Sequence, residues 1–128
     1  MNYYLAVAAG IIFLTGIVHS VFGELLIFKR LRQKNKSAEN GQAGLPIVYQ
    51  RIIWASWHIV SVFGWGFGAI LLWLSLHTEK SKFTEFVEYT IIVSMFIASM
   101  LVLIGTRGKH PGWIALLAIS VILTFNLF

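Results

Sequence analysis

The sequence predicts an all-α membrane protein, folded as an antiparallel up-and-down bundle of four transmembrane helices with both termini outside the cytoplasm. Of its 128 residues, 58% are hydrophobic and only 12% are charged, against about 25% charged residues in an ordinary soluble domain. Four apolar stretches each approach the length of about 20 residues that a helix needs to cross a hydrocarbon core. The connections between them are short, so successive helices are expected to be antiparallel neighbours.

The predicted helices cover residues 4–28, 52–76, 86–105 and 112–128, in a single domain over residues 1–128. Long unbroken apolar runs favour helices over strands, because a helix satisfies its own backbone in lipid. The first Lys follows the first apolar run, whereas a signal peptide carries its positive charge in front. The first helix is therefore expected to remain part of the protein and not to be cleaved as a signal peptide. Residues 29–50 are polar and contain Gly and Pro, which predicts a cytoplasmic loop.

The basic residues are distributed unevenly among the connections. Eight of the ten Lys and Arg lie in or beside the first and third connections, and two lie in the second. The positive-inside rule then places the first and third connections in the cytoplasm and predicts a multi-pass protein of a bacterial-type inner membrane. These cations are expected to contact anionic lipid headgroups of the bilayer, so the net charge of +5 gives no reason to expect nucleic acid. The absence of Cys excludes disulfides and thiolate metal sites.

Ionisable residues inside the apolar stretches are concentrated in one half of the predicted bundle. Glu24 lies about 7 Å and His19 about 15 Å from the end of the first helix at Lys29, and His58 lies about 10 Å from Arg51. Charged groups at such depth are costly and are functional candidates by default. The same boundary carries further candidates: Arg51, Arg107 and His110.

Helical spacing assigns these residues to faces. His19 falls between Gly16 and Gly23 on a stripe of small residues, which a neighbouring helix can approach closely. His58 shares a face of the second predicted helix with Trp54 and Ser61 at steps of three and four. We therefore expect His19 and His58 to face each other across the first helix pair.

Glu24 is offset from His19 by five residues, which places it about 140° around the helix. Glu24 instead shares a helix face with Ser20, four residues before it. Because intramembrane ionisable groups almost always find partners, Glu24 is expected to pair with Arg51 or Arg107.

One interpretation is a cofactor site between the first two helices. His19 and His58 would be the axial ligands of a b-type haem, with Arg51 and Arg107 at its propionates, and the function would be electron transfer. A second version places an iron, copper or zinc ion at His19, His58 and His110, with Glu24 nearby, since imidazole binds all three metals.

The alternative interpretation treats the buried His as interhelical hydrogen bonders. The protein would then be a non-catalytic accessory or assembly subunit of a larger membrane complex, or a homo-oligomer. No catalytic residue is predicted, because the chain has no Asp, Glu24 is the only acid expected within the membrane, and no nucleophile motif is present. The sequence leaves the choice between these interpretations open.

Overall fold

The computed structural model of the chain describes residues 1–38, 45–77 and 81–127, and within these ranges the secondary structure is helical, with no strand. The elements in chain order are α1 (Tyr3–Phe22), a π-helical segment (Gly23–Phe28), α2 (Lys29–Ala38), α3 (Ile47–Leu76), α4 (Lys82–Gly105) and α5 (Gly112–Leu127). The all-α prediction is confirmed for the described residues.

Three helices are long and apolar enough to cross a membrane: Tyr3–Asn35, Ile47–Leu76 and Lys82–Gly105. They correspond to the first three predicted spans. The fourth predicted span is the apolar helix α5, which has 16 residues and is therefore about 24 Å long, less than a hydrocarbon core of about 30 Å. Phe128, the last residue of that predicted span, lies outside the described residues.

The predicted loop 29–50 is largely helical where the structure describes it. The π-helical segment leads directly into α2, so the first helix continues ten residues beyond its predicted end, to Ala38. Lys, Arg and Gln are good helix formers. Because adding residues to an existing helix costs less than starting a new one, the helix can continue through a polar segment with no apolar periodicity. Ile47 begins α3 five residues before the predicted start. Residues 39–44 of the predicted loop lie outside the described residues.

The start of α4 is fixed by a local exchange of hydrogen bonds. The Ser81 side chain accepts from the Thr84 backbone N–H, and the Thr84 side chain accepts from the Ser81 N–H. This reciprocal arrangement satisfies two N–H groups that a helix end leaves without partners. It starts α4 at Lys82, four residues before the predicted position.

The helices pack as two neighbouring pairs. α1 packs along α3, and α4 packs along α5, while α1 and α5 join the two pairs. α3 and α4 touch at only a few residues. The assembly is consequently closed on the α1–α5 side and loosely joined between α3 and α4.

Large apolar side chains cover the outside of the molecule. Leu101 is 68% exposed and Ile104 is 74% exposed on α4, and Phe63 is 67% exposed on α3. Small polar residues lie inside; the buried serines are Ser61, Ser75, Ser99 and Ser120. An apolar exterior around small, hydrogen-bonded interior residues is the pattern of helices packed in lipid, where small residues allow close approach.

Candidate functional site

Two tryptophans of α3 lie directly against two glycines of α1. A Cβ added to Gly16 would come within 3.0 Å of the Trp65 indole, and one added to Gly23 would come within 3.0 Å of the Trp57 indole. Each indole N–H donates to a backbone carbonyl of α1, at 3.3 Å for Trp65 and 3.0 Å for Trp57. The predicted small-residue stripe on the first helix is therefore confirmed as a close contact with α3.

A polar cluster, which we call the Glu24 cluster, lies where the π-helical segment faces α3. Glu24 accepts a hydrogen bond from Arg32 through Oε1 and one from Trp54 Nε1 at 3.0 Å through Oε2. Its ion-pair partner is Arg32 of α2, whereas the sequence pattern favoured Arg51 or Arg107. The members of the cluster are Ser20, Glu24, Arg32, Trp54, His58 and Ser61.

Within the Glu24 cluster, His58 lies between Ser20 and Glu24. Its Nδ1 lies 3.1 Å from Ser20 Oγ, and the Ser20 hydroxyl donates to Ser61 Oγ at 2.9 Å. The other ring nitrogen, Nε2, is buried and has no hydrogen-bond partner in the described part of the chain. It lies 3.9 Å from Glu24 Oε2, beyond hydrogen-bonding range. His58 is thus held by Ser20 on one side and attracted to Glu24 on the other when it is protonated.

Ser20, His58 and Glu24 therefore lie in a row in space, an arrangement that residue spacing along the chain does not predict. The order resembles that of a hydrolytic triad, but two features differ from a working one. The histidine and the carboxylate are not hydrogen-bonded, and the Ser20 hydroxyl is already donated to Ser61 rather than to the imidazole. The described geometry supports a structural hydrogen-bond chain between α1 and α3.

His19 lies on another part of the α1–α3 interface. Its ring stacks on the Trp57 indole with centroids 4.2 Å apart and planes inclined by 6°. It also lines a central cavity of about 280 Å³, and His58 is not among the residues that line this cavity. His19 lines the cavity, whereas His58 lies in the Glu24 cluster, and Ser61 belongs to both, so the two sites adjoin.

Helices α1, α3, α4 and α5 all contribute to the wall of the cavity. Most of the wall is apolar, and the polar lining residues include His110 and Thr106, from the connection between α4 and α5, together with Thr15, His19 and Ser61. Val60 lines the cavity and is also 62% exposed. The cavity is therefore partly open to the outside of the molecule, and Val60 of α3 lies at its exposed edge.

His110 is held in a defined orientation at one end of the cavity. The Gly112 N–H donates to His110 Nδ1 at 3.0 Å. A nitrogen that accepts a hydrogen bond carries no proton, so the neutral ring carries its proton on Nε2. His110 therefore has one N–H donor that Gly112 does not use, and it lines a mostly apolar cavity.

The four residues proposed for a metal ion are divided between two places. His19 and His110 line the cavity, whereas His58 and Glu24 lie in the Glu24 cluster. Within residues 1–38, 45–77 and 81–127, no group of three or more His, Asp or Glu side chains is arranged to hold a metal ion. The predicted four-residue metal set is not assembled in this structure.

The arginines proposed for the propionates are also separated. Arg51 lines a surface pocket where α2 and α3 diverge. Arg107 is exposed in the tight turn after α4, with a φ of 52°. Neither arginine lines the central cavity.

A polar network at the opposite end of the molecule went unrecognised in the sequence. Glu88 of α4 is only 7% exposed, and its carboxylate accepts from Asn126 Nδ2 at 2.7 Å. Asn126 in turn accepts from the Asn2 side chain, and the Asn2 backbone N–H donates to Ser75 O at 2.7 Å. In the sequence, Glu88 is an acid near the start of an apolar helix, where the helix dipole alone favours a negative charge. Its burial depends on α5 and the N-terminus, which local spacing does not reveal.

Comparison with known protein families, with curated proteins and with solved structures finds no match to this chain.

Proposed function

We propose that the protein is a multi-pass protein of a bacterial-type inner membrane, a bundle of four transmembrane helices, that binds a small lipid-soluble ligand in the central cavity. The ligand class is an apolar ring or short chain with a carbonyl or hydroxyl group. The observation that carries the proposal is a partly open, mostly apolar cavity whose polar lining includes His19 and His110.

The chemistry of the wall selects this class of ligand. Apolar side chains accommodate the body of the ligand, and the His110 N–H provides a donor for an oxygen acceptor. Ligand pockets in proteins range from about 300 to 1,000 Å³, and this cavity of about 280 Å³ lies at the lower end of that range. A single ring fits this space better than a whole porphyrin, so we favour a quinone or phenol headgroup over haem.

The test uses two glycines of α3 that differ in position. Gly64 lines the cavity, and a Cβ added there meets nothing closer than 4.0 Å, whereas Gly66 is exposed with open space around it. Gly64→Leu places a side chain in the cavity, and Gly66→Leu places the same side chain on the outside. Binding of a short-chain quinone to protein in nanodiscs would be measured by calorimetry against empty nanodiscs.

We expect Gly64→Leu to weaken quinone binding by at least about tenfold, equivalent to about 1.4 kcal/mol, and Gly66→Leu to leave it unchanged. Removal of the donor by His110→Ala should weaken binding by about fivefold, the effect of one hydrogen bond of about 1 kcal/mol. The matched control is His77→Ala, because His77 stacks on Trp73 away from the cavity. Equal affinity in Gly64→Leu and the parent protein contradicts the proposal.

The hydrogen-bond chain through Ser20, His58 and Ser61 favours a second candidate function. If every buried histidine is structural, the protein is an accessory subunit that packs in a larger membrane complex. Absence of saturable binding by both a quinone and a phenol would favour this second function.

A further inference from the structure

A second pocket lies at the end of the apolar part of the first helix, on the surface of the molecule. It has a volume of about 220 Å³ and is formed where the chain passes from the π-helical segment into α2, opposite the first turns of α3. We call it the Arg51 pocket. It contains two guanidinium groups, those of Arg32 and Arg51, and none of its lining residues belongs to the central cavity.

The Arg51 pocket carries a net positive charge in the described residues. Arg32 is paired with Glu24, whose second carboxylate oxygen is taken by Trp54. Arg51 is exposed and makes no hydrogen bond or ion pair with any residue within the ranges 1–38, 45–77 and 81–127. One guanidinium therefore stays available for an anion.

The walls beside this cation are apolar and accessible. Ile47 is 57% exposed and Trp54 is 45% exposed, and Leu31 completes the wall on the side of α2. A free inorganic anion would leave these surfaces in contact with water. A phosphate ester with attached hydrocarbon chains would cover them while its charge meets Arg51.

We propose that the Arg51 pocket binds one anionic phospholipid, with the phosphate at Arg51 and an acyl chain along Ile47 and Trp54. Basic pockets at the membrane boundary are the usual recognition sites for acidic lipid headgroups, and Arg binds phosphate through its planar fork of donors. This site is independent of the ligand in the central cavity.

The test is retention of lipid by protein released from nanodiscs that contain equal amounts of phosphatidylglycerol and phosphatidylcholine. Native mass spectrometry would count the bound molecules of each lipid. We expect the protein to retain one phosphatidylglycerol, and Arg51→Gln to reduce that retention about fivefold, as expected for one interfacial cation. Arg51 is exposed, so the variant is expected to fold, and circular dichroism would verify its helix content.

The matched control is Arg30→Gln, which removes the same charge from the same boundary at an exposed residue outside the pocket. It should leave retention unchanged. Equal loss in both variants would show attraction to the surface as a whole and would overturn the proposal, as would equal retention in Arg51→Gln and the parent. Competition by soluble glycerol phosphate at millimolar concentration would identify a free phosphate ester as the ligand and would also overturn it.

Discussion

Glycine at positions 16 and 23 determines how closely α1 and α3 approach. A hydrogen atom in place of a side chain leaves room for an indole ring and lets its N–H reach an α1 carbonyl. The spacing of seven between these glycines predicted a close approach, but it did not identify the groups that fill the space. Trp57 lies outside the α3 face that helical spacing assigned to His58, and yet it contacts both Gly23 and His19.

We predict that the same Gly→Ala substitution at two positions of α1 has different effects on the free energy of unfolding. Gly16→Ala forces the Trp65 indole to move and should lower the free energy of unfolding by about 1–3 kcal/mol, the usual cost of overpacking. Gly10 has open space around it, so Gly10→Ala should be neutral or stabilise the helix by up to about 1 kcal/mol. Thermal unfolding in mild detergent measures both. Similar midpoints for the two variants would contradict the packing argument.

The π-helical segment explains why the partner of Glu24 could not be found by counting residues. In an α-helix the eight residues from Glu24 to Arg32 turn about 80° past two full turns, so the two side chains diverge. The segment Gly23–Phe28 instead bonds the Lys29 N–H to the Glu24 carbonyl, five residues back. Each residue then turns less, and Arg32 is brought over Glu24. A sequence of Leu, Ile and Phe at these positions shows no signal for the wider turn.

The hydrogen bonds that join α4, α5 and the N-terminus are expected to stabilise that end of the molecule. Asn126→Ala removes the donor to the buried Glu88 carboxylate, and an unsatisfied buried group costs about 1–3 kcal/mol. Thermal stability in detergent should fall accordingly. Thr124→Ala is the control, because among the described residues the Thr124 hydroxyl bonds to Ser120 O in its own helix and to no other helix. If Thr124→Ala lowers the midpoint as much as Asn126→Ala, the interhelical bond is not the cause.

For the whole molecule, composition and hydropathy predicted an all-helical architecture with four spans, three of which are long apolar helices in the structure. Both features depend only on segment length and average hydropathy. The positions of the polar sites depend on which helices touch. Hydropathy does not show that α3 and α4 touch at only a few residues, whereas α1 packs along α3 and α4 along α5. The same limit applies to the expectation that His19 and His58 face each other, because spacing along each helix gives a face but not the neighbour that the face meets.

The proposed topology can be tested directly because the chain contains no Cys. Single variants Lys34→Cys, at an exposed position of α2, and Lys82→Cys, at the start of α4, would be expressed in bacterial cells. A membrane-impermeant maleimide should label Lys82→Cys in intact cells and Lys34→Cys only after the membrane is permeabilised. The reversed pattern would show that the termini face the cytoplasm.

The opening beside Val60 has a consequence for how the cavity is filled. A site that communicates with the bilayer equilibrates with solute dissolved among the acyl chains, not with solute in the surrounding water. Its occupancy is then set by the mole fraction of ligand per lipid. A strongly partitioning compound would saturate the cavity at aqueous concentrations close to zero, and the apparent affinity of the protein would change with the amount of membrane in the sample.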